Sequence, residues 1–243
     1  MRVAALYDVH GNLPALEAVL ADPRCAAAET IVCGGDLVLG PCPAECLDLL
    51  EDDGERVRFI VGNCDREVAE SPEEAELGAA ARWSNERLGP ERVARVARWP
   101  LTAELELPEC GRVLFCHATP TSDQPILTRI TPEEDVVHEL GEVTADVVVC
   151  GHTHVQYDRR VGSVRLVNAG SVGMPYEGSG DARWALLVDG DLELVTTAYD
   201  TEAALARLEQ AGFPLFEQWL VDSLRGEVSA EEATASFESR RGA

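Results

Sequence analysis

The chain has 243 residues, enough to bury one sizeable core, and no Pro-, Ser- or Gly-rich linker divides it. Its formal net charge of −24 comes from 44 acidic residues against 20 cations, all of them Arg, which disfavours nucleic-acid polymers and anionic membranes as partners. No apolar run approaches the ~20 residues that cross a bilayer and no export signal is present, so we expect a cytoplasmic protein with reduced cysteines. The excess of acidic residues makes the folded chain repel itself unless salt screens the charges, and we therefore hypothesise a salt-rich cytoplasm.

The first sixty residues alternate between short apolar strands and helices. The predicted order is strand "RVAALYD", helix "NLPALEAVLAD" with Asn12 as its cap, strand "ETIVCGGD", helix "PAECLDLLED" and strand "RVRFIVGN". This alternation is typical of a parallel sheet with helices packed on its faces.

The middle of the chain carries two helix-start signals of the same form. Ser71-Pro72-Glu73-Glu74 predicts a helix over 71–98, and Thr131-Pro132-Glu133-Glu134 predicts another before "DVVHELG". Between them, "LTAELEL" and "RVLFCHA" form a predicted strand pair.

Five more short strands follow: "ADVVVCGH", "VQYDRRV", "SVRLVNAG", "RWALLVDG" and "DLELVTTAY". Gly-containing turns separate them, which indicates a second, largely antiparallel sheet. We expect one domain over 1–243 whose last part, 199–243, is a helical extension. An apolar stripe in this extension must pack on the domain or on a second subunit, so a homo-oligomer is one expectation. The stripe consists of Leu215, Phe216, Trp219, Leu220 and Leu224.

Polar side chains collect directly after the predicted strands. Four of the five histidines lie there, and carboxylates end two of the same strands. Asp8 and His10, like His152 and His154, are two residues apart, which in extended chain would place both side chains on the same side. The full set of such groups is Asp8, His10, Asp36, Asn63, His117, His152 and His154.

Each of these residues alone is more simply explained as a structural His, a turn former or a helix cap. Together they form a set of nitrogen and oxygen ligands at strand ends, where α/β sheets build their sites. Imidazole and carboxylate suit divalent Mn, Fe, Zn or Ni, and the set is large enough for two ions that share a carboxylate.

The order of these groups resembles the motifs of the calcineurin-like metallophosphoesterase family. The matching segments are "DVHGN", "GGDLV", "GNCD", "FCHA" and "GHTH", and the resemblance covers residues 1 to about 198. It is strongest to small bacterial and archaeal single-domain phosphodiesterases. The family implies a four-layer αββα sandwich with two mixed β-sheets, an α/β fold in agreement with the predicted elements.

The resemblance also implies a ligand assignment. Asp8, His10 and His154 would hold one ion, Asn63, His117 and His152 the other, and Asp36 would bridge them. A hydroxide between the ions would then attack phosphorus directly, so the implied activity is hydrolysis of small phosphodiesters or nucleotide phosphoanhydrides.

At one position the sequence departs from the fuller family pattern. Cys64 stands where the family has a His thought to protonate the leaving group, and a neutral thiol is a poor general acid. Cys64 either fills space or takes part, and Asp65 would be available to orient a thiol or a water. The catalytic candidates are therefore Asp36, Asn63, Cys64 and Asp65.

Substrate contacts are less specific in the sequence. Asn12 is either a contact near the phosphate, as in relatives, or only a helix cap. Arg129, Tyr176 and Arg183 lie in loops expected over the metals, where they could bind phosphate or stack on a base, although each alone is more simply an exposed residue. His138 lies away from the motifs and is expected to face solvent.

Two other functions compete with a phosphodiesterase. A non-catalytic protein-binding scaffold on the same fold would have lost metal-site histidines, but every metal-ligand position of the motifs is filled here. A phosphoprotein phosphatase would need insertions that build a peptide groove and the His that Cys64 replaces.

Overall fold

The computed structural model describes residues 1–70, 77–108 and 110–241 as ten strands and a set of helices. The strands are β1 (Val3–Leu6), β2 (Thr30–Cys33), β3 (Val57–Phe59), β4 (Thr102–Leu107), β5 (Gly111–Cys116), β6 (Val147–Cys150), β7 (Tyr157–Val161), β8 (Val164–Asn168), β9 (Ala182–Val188) and β10 (Asp191–Thr197). The α-helices are α1 (Leu13–Ala21), α2 (Pro23–Ala26), α3 (Pro43–Glu51), α4 (Asn63–Glu70), α5 (Gly78–Val96), α6 (Glu133–Leu140), α7 (Thr201–Glu209), α8 (Asp222–Leu224) and α9 (Ala230–Arg240). A 3₁₀ turn lies at Gly54–Arg56 and a π-helical turn at Glu217–Val221.

The strands form two five-stranded sheets. The first has the order β10-β9-β1-β2-β3, and the second has the order β4-β5-β6-β8-β7. In each sheet three strands run parallel, and the remaining two pair antiparallel. Both sheets are thus mixed.

The expectation of a largely antiparallel second sheet is therefore wrong. β9 pairs with β1 and β10 pairs with β9, so both belong to the first sheet. In the second sheet, β5 and β6 are parallel because the connection through α6 returns the chain to the same end. The positions of the turns between short strands do not predict which distant strand each short strand pairs with.

Alternation along β1 shows how the layers are built. Val3, Ala5 and Tyr7 belong to the apolar core between the two sheets, whereas Ala4 and Leu6 belong to the core under the helices of the first sheet. A third core, which includes Val136 of α6, covers the outer face of the second sheet. Helices thus cover both outer faces, and the predicted αββα sandwich is confirmed.

The helix caps follow the sequence only in part. Asn12 caps α1 as predicted, because its Oδ1 accepts the Ala15 N–H at 3.1 Å. Thr131 does not cap α6: Pro132 occupies that position, and the Thr131 hydroxyl instead donates to Glu238 of α9. The signal at 71–74 lies outside the described residues, although α5 does follow it, with a kink at Gly89.

The apolar stripe of the C-terminal extension packs on its own chain. Phe216, Leu220 and Leu224 are buried in the core under the first sheet, and Leu215 and Trp219 pack against that core while half-buried. The stripe therefore no longer supports self-association, which stays a prediction.

Several simpler expectations can be compared with the structure. His138 is exposed on α6, and the core cysteines Cys25, Cys33 and Cys46 are free thiols. Among the described residues, no helix combines the length and the apolar character that crossing a bilayer requires.

Candidate metal centre

The ends of strands from both sheets meet at one edge of the sandwich. Asp8 and His10 follow β1, Asp36 follows β2 and Asn63 begins α4 after β3, while His117 follows β5 and the two His of "GHTH" follow β6. Asp8, His10, Asp36, His117 and His154 are buried, and Asn63 and His152 are half-buried. The seven residues singled out in the sequence therefore share one site.

The carboxylates lie between the imidazoles. Asp36 Oδ2 is 3.8 Å from His10 Nε2 and 3.5 Å from His117 Nε2. Asp8 Oδ1 is 3.3 Å from His154 Nε2, and it is also 4.0 Å from His10 Nε2 and 3.9 Å from His117 Nε2. Asp36 thus faces a histidine on each side.

Asp8 and Asp36 each have one oxygen fixed by the backbone. Asp8 Oδ2 accepts the His152 N–H at 2.9 Å, and Asp36 Oδ1 accepts the Cys64 N–H at 2.9 Å. Asp8 Oδ1, by contrast, is buried and has no hydrogen-bond partner among the described residues. A buried carboxylate oxygen without a donor is costly unless a cation neutralises it.

The histidines are oriented by backbone carbonyls. Nδ1 lies near Leu39 O at 3.3 Å for His10, near Gly34 O at 3.0 Å for His117 and near Met174 O at 2.7 Å for His154. An Nδ1–H donated to a carbonyl leaves the Nε2 lone pair directed into the site, as a metal requires.

His152 uses its other nitrogen: Nε2 lies 3.1 Å from Gln124 O, which leaves Nδ1 for the site. Asn63 Oδ1 lies 3.1 Å from His117 Nε2, so the Asn63 oxygen also faces the site.

Five of the seven residues have left-handed backbone. Their φ values are 53° for Asp8, 47° for His10, 55° for Asp36, 69° for His152 and 56° for His154. The expected extended geometry at the two spaced pairs is therefore wrong. Because non-Gly residues adopt this conformation at a cost, the loops hold these side chains against a local preference.

The electrostatics of the site favour a cation. Burial lowers the pKa of His10 and of His152 to about 4, so both rings are neutral. Burial alone would lower the pKa of His117 as well, but the carboxylates of Asp36 and Asp8 outweigh it and raise this pKa to about 10. The field that holds a proton on His117 also attracts a metal ion, and neutral imidazole with carboxylate is a suitable donor set.

Asp65 has a different surrounding from the one expected. Its buried carboxylate accepts the backbone N–H groups of Asp36 at 2.7 Å, Leu37 at 2.9 Å, Val38 at 2.9 Å and Gly62 at 3.1 Å. Among the described residues, every hydrogen bond that Asp65 accepts comes from backbone N–H. Asp65 therefore fixes the loop that carries Asp36 and does not orient a thiol or a water.

The Cys64 thiol lies at the site, where Asn63 Nδ2 donates to it at 3.5 Å. Burial and the nearby Asp36 raise the pKa of Cys64 well above its usual range, so the thiol is neutral. It lies close enough to His10 and Asp36 that the three could share an ion.

Of the predicted substrate contacts, the structure places only Tyr176 at the site. Its ring stacks on His154 with centroids 4.9 Å apart. Asn12 is fully buried, and its amide donates to Gly173 O and to the Tyr199 hydroxyl while its Oδ1 caps α1, so the structure supports the helix-cap interpretation and gives no support to a substrate contact.

The two arginines are engaged away from the site. Arg129 pairs with Glu231 at 2.9 Å. Arg183 pairs with Glu177 and donates to Ser179 at 3.0 Å. Neither lines the cavity over the site, so their predicted roles in phosphate binding are not supported.

A cavity of about 600 Å³ opens over these residues. Trp219, Phe237 and Arg240 of the C-terminal extension line it, and the sequence did not connect them with the site. Trp219 was assigned to the apolar stripe. The only signal for Phe237 is that it is the one large apolar side chain in the otherwise polar sequence of α9.

Carboxylates and histidines gathered at the shared strand ends of a two-sheet sandwich are the arrangement expected of a metal-dependent phosphoesterase. Residues 1–191 match the calcineurin-like phosphoesterase superfamily domain, and the chain belongs to that superfamily. It is thus a hydrolase that acts on phosphoester bonds, in a metal-dependent family.

Two curated relatives resemble the chain over most of its length. An uncharacterized protein of Methanocaldococcus jannaschii is 29% identical over 91% of this chain and 96% of that protein. Phosphodiesterase YfcE of Escherichia coli is 26% identical over 86% of this chain and 97% of that protein. The similarity supports the small single-domain branch of the family.

Solved structures agree with this assignment. A metallophosphoesterase from Sphaerobacter thermophilus is 25% identical and superposes with a TM-score of 0.73 over 94% of this chain and 99% of that chain. A hypothetical protein from Pyrococcus horikoshii shares the fold at 20% identity, with a TM-score of 0.77 over 94% of this chain and 98% of the other.

Proposed function

We propose that the chain is a dinuclear metal-dependent phosphodiesterase that hydrolyses small phosphodiesters or nucleotide phosphoanhydrides. The position of Asp36 carries this proposal, since its Oδ2 lies within 4 Å of Nε2 of both His10 and His117. A carboxylate in this position can serve two ions at once.

The remaining ligands divide around Asp36. Asp8, His10 and His154 would hold one ion, and they form one compact group of donor atoms. Asn63, His117 and His152 would hold the other. Two divalent ions held by these residues would supply Lewis acidity toward the phosphate and a water of lowered pKa as the nucleophile.

The chain's own residues orient these ligands. The Cys64 N–H holds one oxygen of Asp36, so that the other oxygen faces the histidines. Asp65 fixes the loop around Asp36, and carbonyls of Leu39, Gly34 and Met174 set three imidazoles. A preorganised ligand set of this kind does not need to rearrange when substrate binds.

The position of Cys64 points to substrates with good leaving groups. A buried thiol whose pKa is raised cannot readily donate a proton to a departing alkoxide. We therefore expect efficient hydrolysis of diesters with acidic leaving groups and slow hydrolysis of alkyl monoesters. The Escherichia coli relative YfcE is a phosphodiesterase, which supports the same preference.

Metal analysis followed by a substrate panel tests the proposal. We expect about two equivalents of Mn, Fe, Zn or Ni per chain and hydrolysis of nitrophenyl diesters that stops on chelation and returns with metal. The panel should include nitrophenyl monoesters, cyclic nucleotides and dinucleoside polyphosphates. Full activity after exhaustive chelation would reject the proposal.

A further inference from the structure

The C-terminal extension supplies half of the residues that line the cavity over the metal centre. These residues lie beyond the part of the chain that matches the family domain, which ends at residue 191. Half of the cavity wall is therefore supplied from outside the segment that matches the family domain.

Two aromatic rings of the extension flank the histidines. Trp219 meets His10 edge-on, with centroids 5.6 Å apart at 84°. Phe237 lies 6.5 Å from the His152 ring and 6.4 Å from Tyr176. Because His10 and His152 are assigned to different ions, an aromatic ring stands beside each half of the centre.

Phe237 is not part of an apolar core among the described residues, and it stays half-buried at the cavity. On α9 the buried residues are the small Ala233 and Thr234. The helix thus directs its one large apolar side chain into the cavity instead of using it to pack, which is typical of a ligand contact and not of folding.

Polar contacts fix α9 in this position. Glu238, next to Phe237, accepts from the Thr128 hydroxyl at 2.6 Å and from Thr131. Arg241 pairs with Asp135 at 2.6 Å. These contacts hold α9 against the segment before and at the start of α6, so the ring of Phe237 is preorganised.

The charges of the cavity limit what the rings can bind. Glu67, Asp222 and Glu232 also line it, and Arg240, whose guanidinium lies 4.6 Å from the Phe237 ring centroid, is the only Arg in the lining that the described residues provide. A chain of several phosphates would meet more carboxylates than cations outside the metal centre. A planar, uncharged ring would meet aromatic faces.

We propose that Phe237, with Trp219, forms an aromatic subsite that selects phosphodiesters carrying a planar ring, such as a nucleobase or an aryl group, on one ester arm. This rests on the proposed function and narrows its substrates to ring-bearing esters of a single phosphate. Stacking on an aromatic side chain contributes about tenfold or more in affinity per base.

Calorimetric titration of the metal-loaded protein tests the subsite without turnover. The probes are thymidine 5′-monophosphate, phenyl phosphate and methyl phosphate. We expect Phe237→Leu, which keeps apolar bulk but removes the flat ring, to weaken thymidine 5′-monophosphate about tenfold and methyl phosphate less than about twofold. Phe237→Tyr should bind like the unchanged protein, and so should the exposed control Val137→Ala on α6.

The phenyl probe separates the two sources of a ring. If phenyl phosphate binds as tightly as thymidine 5′-monophosphate, an aryl group is sufficient to occupy the subsite. If phenyl phosphate binds more weakly, the subsite fits a nucleobase. An equal effect of Phe237→Leu on all three probes, or no effect on any, would overturn the subsite.

Hydrolysis of the nitrophenyl esters of thymidine 5′-phosphate and of methyl phosphate separates this inference from the proposed function. Ring-dependent binding without hydrolysis of either ester would leave the subsite standing and reject the diesterase. Because both esters carry an aryl ring, metal-dependent hydrolysis of both with no effect of Phe237→Leu on either KM value would reject only the subsite.

Discussion

The buried carboxylates of Asp8, Asp36 and Asp65 have different roles, which depend on how many backbone N–H groups each one accepts. Asp65 has both oxygens saturated by N–H groups. Asp36 and Asp8 each have one oxygen held by a single N–H and the other facing histidines. Carboxylates with a free buried oxygen are candidates for metal ligands, whereas a saturated one is a structural anchor.

The first prediction concerns the shared carboxylate. Asp36→Asn should remove both ions, because the amide has no negative charge to offer either, whereas Asn63→Ala should keep about one ion per chain. Elemental analysis of each purified variant measures this, and Asp158→Asn, a surface pair with Arg165, serves as the matched control. Full metal content in Asp36→Asn would contradict the bridging role.

The second prediction concerns the anchor. Asp65→Asn places an amide N–H₂ against backbone N–H donors, so the free energy of unfolding should fall by about 3 kcal/mol. Urea denaturation compares this variant with Asp48→Asn, whose partner Arg92 lies at the surface. Equal midpoints for the two variants would show that the four hydrogen bonds contribute nothing.

The third prediction concerns Cys64. If the thiol gives no proton to the leaving group, Cys64→Ala should change hydrolysis of a nitrophenyl diester by less than about tenfold. A Cys64→His ring would have no free Asp65 oxygen to orient it, because that carboxylate is already saturated. A large loss on every substrate in Cys64→Ala, with both metals still bound, would make the thiol a direct participant.

At the scale of elements, the connections after the strands determine the site. The turn between β3 and α4 brings Gly62 against Asp36, where an added Cβ would lie 2.1 Å from Asp36 Oδ1. Gly151 approaches Asp8 in the same way after β6, at 2.4 Å from Oδ2. Both carboxylates therefore rest against a glycine.

The fourth prediction uses this contact. Gly62→Ala should displace the Asp36 carboxylate and lower metal content and activity together, while the far-ultraviolet circular dichroism of the protein stays the same. Metal content equal to that of the unchanged chain would mean that the backbone of the turn shifts to accommodate the methyl group and leaves Asp36 in place.

Local patterns in the sequence predicted what local physics determines. The cap Asn12, the strands and the collection of ligands after them followed from residues close in the chain. The membership of β9 and β10 in the first sheet did not, nor did the contact of Thr131 with Glu238, since both depend on pairing between distant segments. Phe237 was missed for the same reason.

At the scale of the whole molecule, the family domain and the extension share one core. Phe216 and Leu220 are buried together with residues of α1 and α3, and we propose on this basis that 1–243 form a single domain. The cavity then lies where the extension closes over the sheet edge. The net charge of the chain, −24, is therefore carried by one folded unit.

The fifth prediction follows from that charge. With 44 acidic residues against 20 Arg, repulsion should fall as salt screens it, so the melting temperature should rise by several degrees between about 0.1 M and about 2 M KCl. Sucrose of equal osmolality controls for solvent effects. An unchanged melting temperature would count against a chain adapted to high salt.

The left-handed backbone at five residues of the centre has an evolutionary consequence. Glycine would adopt that conformation with less strain at each position, so selection for thermal stability alone would replace Asp8, His10, Asp36, His152 and His154. In a mutant library screened only for heat resistance, these positions should be among the first to drift, and the chemistry would vanish before the fold. The loops that carry these five side chains therefore keep them at a cost in stability.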